Sequence, residues 1–193
     1  MNLKRILVIQ TAFLGDVILA SPIWENLHQQ FPEAQIDVVV KKGNEALLAE
    51  HPFLNQVYTF DKRQKLKNLW KLGKQLRQQR YELVINLQRF ASSGLLTFLT
   101  RAKESRGFQK NPLSFVYSKR FQHKLKEGWH EVDRNLQLIA DLVIQPKKRP
   151  QLYPTLSDME RISSFQKQTY YCLAPTSVWF TKQAPKKIWL AFI

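Results

Sequence analysis

Thiols are almost missing from this chain. Cys172 is the only cysteine in 193 residues, so no intrachain disulfide can form and a reducing compartment fits. It falls in the apolar run Tyr170-Tyr171-Cys172-Leu173-Ala174, where a buried strand residue is expected rather than a nucleophile. Glycine-rich phosphate loops are also absent. Neither GxGxxG nor GxxxxGK[ST] occurs, which excludes the dinucleotide fingerprint and the P-loop. The four histidines, His28, His51, His123 and His130, are scattered without zinc spacing, and a surface position is expected for most of them. His130 stands apart because it opens a helix containing Asp133 and Arg134. No apolar stretch approaches the roughly 20 residues of a membrane-spanning helix. A start like a secretory leader, Lys4 and Arg5 before an apolar run, is broken by Gln10, Gly15 and Asp16, so a cytoplasmic protein is expected. Acid is scarce as well: 15 Asp and Glu face 30 Lys and Arg, a formal charge of +15. That imbalance points to an anionic partner, whether nucleic acid, an anionic membrane surface or a phosphorylated ligand.

What is present is a repeated alternation of strand and helix. Ile6-Leu7-Val8-Ile9 is a short apolar strand. It runs through Gln10–Leu14 to the pair Gly15-Asp16 and then into an amphipathic helix, Val17–Trp24. This reads as the first β-turn-α unit of an open α/β sheet, with Gly15 allowing a sharp turn and Asp16 at the edge where such sheets bind ligands. Asp16 fits two roles at that position, helix cap or site residue. Further strands are predicted at Ile36–Val40, Gln56–Phe60, Leu83–Leu87 and Glu104–Phe108. Helices are predicted at Glu45–Glu50, Arg63–Gln79, Ser92–Thr100 and Glu131–Val143. The pattern implies a Rossmann-like parallel sheet with helices on both faces. Residues 1–145 form this domain, and 146–155, carrying Pro146-Lys147-Lys148-Arg149-Pro150, read as a linker. Residues 156–193 read as the beginning of a second, incomplete Rossmann-like domain, with a helix at Asp158–Gln166, a strand at Tyr170–Ala174, a loop at Pro175–Ala184 and a helix from Lys186 to Ile193.

Two constellations carry charge. The Arg63–Gln79 stretch and its flanks hold eight basic residues and no acid, with Leu66, Leu69, Trp70 and Leu76 as an apolar stripe at helical spacing. It fits either a solvated outer face or a patch for anionic lipid or phosphate. Nucleic acid would want aromatics among the charges, and Trp70 is assigned to the stripe instead. The loop Thr176–Pro185 places Thr176, Ser177 and Lys182 between a strand and a helix, a plausible cradle for a diphosphate.

Together these pieces resemble the lipopolysaccharide heptosyltransferases of glycosyltransferase family 9. The likeness rests on Ile6–Ile9 with Leu14-Gly15-Asp16-Val17-Ile18-Leu19 and Pro22, and on Val84-Ile85-Asn86-Leu87-Gln88 before a Ser-containing helix. It continues through Arg106-Gly107-Phe108, His130-Glu131-Val132-Asp133-Arg134 and the Lys-x-x-Pro loop at Lys182–Pro185. The resemblance implies a GT-B architecture of two Rossmann-like domains and an inverting transfer of heptose from an ADP-sugar donor to the anionic lipopolysaccharide inner core, with no metal and no cofactor. Asp16 matches the family's general base and Lys182 its donor-phosphate lysine, with Thr176 and Ser177 beside it. Gly15, Arg63, Gln88, His130 and Arg134 become candidates for the acceptor side. The basic surface is then explained by an anionic acceptor and by peripheral contact with the cytoplasmic face of the inner membrane, without nucleic acid.

The chain departs from the family at Ala184, where a tryptophan is usual before the proline. It also ends at Ile193, where family members continue through most of the donor-binding domain. A truncated, inactive fragment, self-association through the incomplete second domain, and a non-catalytic basic module for anionic glycolipid or nucleic acid therefore stand beside the enzyme reading.

Overall fold

Six parallel strands in the order β3-β2-β1-β4-β5-β6 form the sheet. They are β1 (Arg5–Gln10), β2 (Gln35–Lys41), β3 (Leu54–Phe60), β4 (Leu83–Asn86), β5 (Glu104–Phe108) and β6 (Lys119–Phe121). The helices are α1 (Leu14–Gln30), α2 (Lys65–Gln78), α3 (Ala91–Thr100), α4 (Glu131–Leu136), α5 (Leu156–Ile162) and α6 (Lys186–Phe192). The computed structural model describes residues 3–123, 128–167, 169–177 and 180–192. Among them no helix is long and apolar enough to cross a membrane. Residues 1–154 and 155–193 form two separate units.

Strands β1 and β4 are nearly continuous apolar runs because the sheet is covered on both faces, whereas β2 carries buried Asp37 and β5 buried Arg106. Alternate residues supply the two cores. Ile6, Val8, Ile36, Val38, Leu83 and Ile85 pack with Ile23, Trp24 and Leu27 of α1 and with Val132 and Leu136 of α4. On the other face Leu7, Ile9, Val39 and Val84 meet Leu69, Leu72 and Leu76 of α2 and Leu96 of α3. Pro22 sits inside α1 and has no N–H for the Ile18 carbonyl, but the Ser21 hydroxyl donates to that oxygen at 2.9 Å.

Several predicted elements shift. Glu45–Leu48 is a 3-10 turn, and the basic helix begins at Lys65, leaving Arg63 outside it. The buried seam of α2 is Leu69, Leu72, Gly73 and Leu76, while Leu66 and Trp70 are exposed. Trp70 therefore stands among the charges and not in the apolar stripe to which periodicity assigned it. The helix predicted over Glu131–Val143 stops at Leu136 and continues as a 3-10 turn, Gln137–Ile139. The Leu138 carbonyl, which a longer helix would use for itself, instead accepts from Arg106 Nη1 at 2.9 Å. Strand β6 was not foreseen, for its three residues include two cations and no apolar run.

Residues 146–154 lie along α1. Asn26 exchanges two 2.8 Å bonds with the backbone of Lys147, the Gln151 N–H donates to Ser21 Oγ at 2.9 Å, and the Tyr153 hydroxyl donates to Glu25 Oε2 at 3.3 Å. In the second unit Thr155 caps α5 through Asp158 N–H at 3.0 Å. Tyr170–Ala174 is not a strand, and Cys172 is exposed instead of buried. A strand needs a neighbouring ladder to pair its backbone, and no strand forms among the described residues of this unit. The end of the predicted helix at Ile193 lies outside the described residues.

Gly107 of β5 pairs with Asn86 of β4, and the Tyr117 ring lies directly over it, where a Cβ would overlap the ring edge. Gly107→Ala is expected to cost about 1–3 kcal/mol through this overpacking. A thermal melt should fall by about 2–4 °C for each kcal/mol.

Candidate active site

Strand β1 is the point where chain order reverses: β2 and β3 lie to one side, β4 to β6 to the other. Ligands of open α/β sheets bind outside the carboxyl ends of the strands at this point. The residues that follow β1 and β4 are held there by a polar network. Gln88 Nε2 donates to Gln10 Oε1, and Gln10 Nε2 donates in turn to the Asp16 carbonyl at 3.3 Å. Asn86 Oδ1 accepts from the Gln88 N–H at 2.8 Å, while its amide donates to Tyr117 Oη at 2.9 Å and Thr97 Oγ1 at 3.0 Å. Asn111 Nδ2 closes the loop by donating to the Gln88 and Phe90 carbonyls, at 3.1 and 2.9 Å. Buried amides satisfied in this way specify one loop conformation.

Asp16 is the third residue of α1 and half-buried. Its Oδ2 accepts from the Phe13 N–H at 3.2 Å, so it does close the first turn of the helix. Gly15 lies within that turn and has no left-handed φ; the sharp turn expected of it is made by residues 11–13. A Cβ at Gly15 would meet nothing within 4 Å, so the approach to Asp16 is open on that side.

Arg134 is buried and forms an ion pair with Glu131, one helical turn away on α4. Helix α4 packs on α1, where Asn135 Nδ2 donates to the Leu19 carbonyl at 3.3 Å. This brings Arg134 within the field of Asp16. Burial lowers the guanidinium's pKa, the neighbouring Arg89 lowers it further, and the Asp16 carboxylate opposes both. His123, which follows β6, is pushed down to about 4 by burial and then by Arg134, Arg89 and Lys110. It is neutral at neutral pH, its ring nearly perpendicular to that of Phe108 with 4.8 Å between the ring centres. Arg89, Lys110 and His123 were not singled out from the sequence as site residues. The available signal was positional: each follows within three residues of the end of a parallel strand.

The remaining candidates lie elsewhere. His130 is exposed and caps α4, with Nδ1 accepting from the Val132 N–H at 3.3 Å and its own N–H donating to Asp133 Oδ2 at 3.0 Å. Arg63 follows β3, two strands from β1 and so about 10 Å along the sheet. It lines a pocket of about 550 Å³ with Lys41, Lys42, Asp61 and Lys62. His51, expected on the surface, is buried and accepts from Trp24 Nε1 at 3.1 Å. In the second unit Thr176 and Lys182 are exposed, and the Ser177 carbonyl accepts from Gln183 Nε2. Val178 and Trp179 of that loop lie outside the described residues. Among the described residues no group of three or more His, Cys, Asp or Glu is placed to hold a metal ion.

Comparison with known proteins gives the family and the fold. Residues 69–193 match the profile of glycosyltransferase family 9 (heptosyltransferase). Lipopolysaccharide heptosyltransferase 3 of Escherichia coli K12 is 32% identical over 146 residues, which cover 67% of this chain and 40% of that protein. The glycosyl transferase family 9 structure from Veillonella parvula superposes with a TM-score of 0.76 at 20% identity, over 87% of this chain and 51% of that one. The ADP-heptose lipopolysaccharide heptosyltransferase II of E. coli gives a TM-score of 0.68 at 24% identity, over 83% and 50%. The chain spans about half the length of the curated relatives it matches.

Proposed function

The chain belongs to glycosyltransferase family 9, and from that premise we propose that residues 1–154 are the acceptor-binding part of an inverting heptosyltransferase, with Asp16 as its general base. The observation that supports this most directly is the meeting of Asp16, the Gln10–Gln88 pair and buried Arg134 at the switch point of the sheet.

In this reading the acceptor is the lipopolysaccharide inner core and the donor ADP-heptose. The acceptor hydroxyl attacks the anomeric carbon from the face opposite the ADP and inverts it. Asp16 takes the hydroxyl proton as the bond forms, a contribution of about 10²–10⁴-fold for a positioned carboxylate. Its backbone is held by Gln10 and its Oδ2 by the Phe13 N–H, so the carboxylate is fixed before substrate arrives. Arg134, Arg89 and Lys110 supply fixed positive charge to an anionic acceptor, and His123 stays neutral among them. Lys182, with the Thr176 and Ser177 hydroxyls, takes the negative charge that grows on the departing diphosphate. That assignment leaves the leaving group to side chains and invokes no metal. The acceptor's lipid places the reaction at the cytoplasmic face of the inner membrane.

Calorimetry of the purified chain with ADP-heptose tests the donor half. Micromolar affinity is expected, reduced at least tenfold by Lys182→Ala. A folded sample that binds no ADP-heptose, or one that binds equally without Lys182, would remove the donor role assigned to this loop.

A further inference from the structure

Helix α2 and its neighbour α3 turn large apolar side chains toward solvent. Leu66 is 70% exposed, Trp70 59% and Phe98 56%. They are not core residues left loose, because the seam Leu69, Leu72 and Leu76 already fills the space over the sheet. Gly73 lets the two helices approach closely; a Cβ there would lie 2.7 Å from Leu99 Cδ1. Beside that contact a groove of about 600 Å³ opens, lined by Trp70, Gly73, Lys74, Arg77, Phe98 and Arg101 among others. Its floor is apolar and its rim cationic. No acidic residue occurs anywhere in α2.

We propose that this α2–α3 face docks the protein on an anionic lipid bilayer, with Trp70 and Phe98 at the level of the headgroup–acyl boundary and Lys71, Lys74, Arg77 and Arg101 over the phosphates. Tryptophan settles at that depth because it presents apolar area beside a polar N–H, and phenylalanine adds apolar area to the same face. Neither signal suffices alone, since stable surface binding takes an apolar anchor together with a basic cluster. Here both lie on one face. Charge complementarity selects an anionic surface over a neutral one. Trp70 among the charges meets the pattern that nucleic acid would want, but Leu66 beside it, 70% exposed and aliphatic, offers a base no stacking face and favours lipid. The proposal does not depend on sugar transfer and is tested without donor or acceptor.

The full chain is sedimented with phosphatidylcholine vesicles, with and without about one third phosphatidylglycerol. Binding is expected only to the anionic vesicles. Each basic residue lost near an anionic surface should lower the partition coefficient about fivefold, so the triple variant Lys71→Gln, Lys74→Gln, Arg77→Gln should lose about a hundredfold. A triple variant with the same charge change at exposed Arg149, Arg161 and Lys167 should lose much less. Bromine-labelled acyl chains should quench tryptophan emission, and Trp70→Phe should abolish most of that quenching while binding persists. Equal losses in the two triple variants overturn the proposal, as does quenching unchanged by Trp70→Phe. Tighter retention on duplex DNA than on anionic vesicles through the same three residues overturns it in favour of nucleic acid.

Discussion

Asp16→Asn is expected to lower the rate of heptose transfer by about 10²–10⁴-fold while leaving the fold intact. The substitution preserves the shape and the hydrogen-bond acceptor that the Phe13 N–H uses at 3.2 Å, so the first turn of α1 should persist. It removes the proton acceptor and the carboxylate that faces Arg134. A group that acts in the transition state lowers kcat when lost, whereas one that only binds raises KM. The measurement is ADP release from ADP-heptose with a lipopolysaccharide core acceptor, paired with acceptor titration. A loss confined to kcat, with acceptor affinity changed by less than about fivefold, is the expected result. A loss that appears only in KM, or one matched by a lowered melting temperature, would leave Asp16 as no more than a helix cap.

The second large effect falls on stability. Arg106 is fully buried in β5. Its Nε donates to Glu104 Oε1 at 2.6 Å and its Nη2 to Asp141 Oδ2 at 3.1 Å; Nη1 reaches Asp141 Oδ1 and the Leu138 carbonyl, the latter at 2.9 Å. Lys119 joins the cluster at 2.7 Å from Asp141. Arg106→Met leaves two carboxylates and a buried carbonyl without their main donor, a loss of about 3 kcal/mol at the lower end for a broken buried pair, because Asp141 keeps some solvent. Combining it with Glu104→Gln and Asp141→Asn should recover much of the loss, since uncharged partners need no counterion. A single variant as stable as the parent in urea would show that the cluster contributes nothing.

Acid should reveal the same cluster. Burial raises the Asp141 pKa, but Arg106 and Lys119 overcome it and hold the carboxyl at about 2, below its ordinary 3.8. A depressed folded pKa contributes stability that is complete above the unfolded value and disappears as pH falls from about 4 through about 2. The urea midpoint of the parent should decline over that window, and Asp141→Asn should flatten this part of the decline.

Legibility from sequence followed the strength of each local signal. Strands β1, β2 and β4 were readable because burial on both faces makes them nearly continuous apolar runs, with Asp37 of β2 as the exception. Strand β6 was not, since an edge strand of three residues with Lys119 and Arg120 offers no such run. Trp70 was placed on the wrong side of α2 because its spacing fits a helical stripe. Only the packing of Gly73 against Leu99 shows which side of the helix is buried. Arg106 stood in a recognisable tripeptide, but nothing in its neighbours revealed that it is buried and paired with Asp141, 35 residues later.

The amino-acid order by itself determined the strand–helix alternation, the parallel sheet, the family likeness and the position of Asp16 after β1. These depend on near neighbours: apolar period, turn residues and helix starts are all read within a few positions. The tertiary structure alone decided that Arg134, Arg89 and Lys110 gather around His123, that Arg134 lies in the field of Asp16, that Gln88 meets Gln10 across 78 residues, and that Trp70 and Phe98 share an exposed basic face. Those groupings come from strand order and helix packing, which bring the ends of non-adjacent elements to one edge. No local pattern encodes that distance, because the free energy that sets it is the burial of the two cores on either side of the sheet.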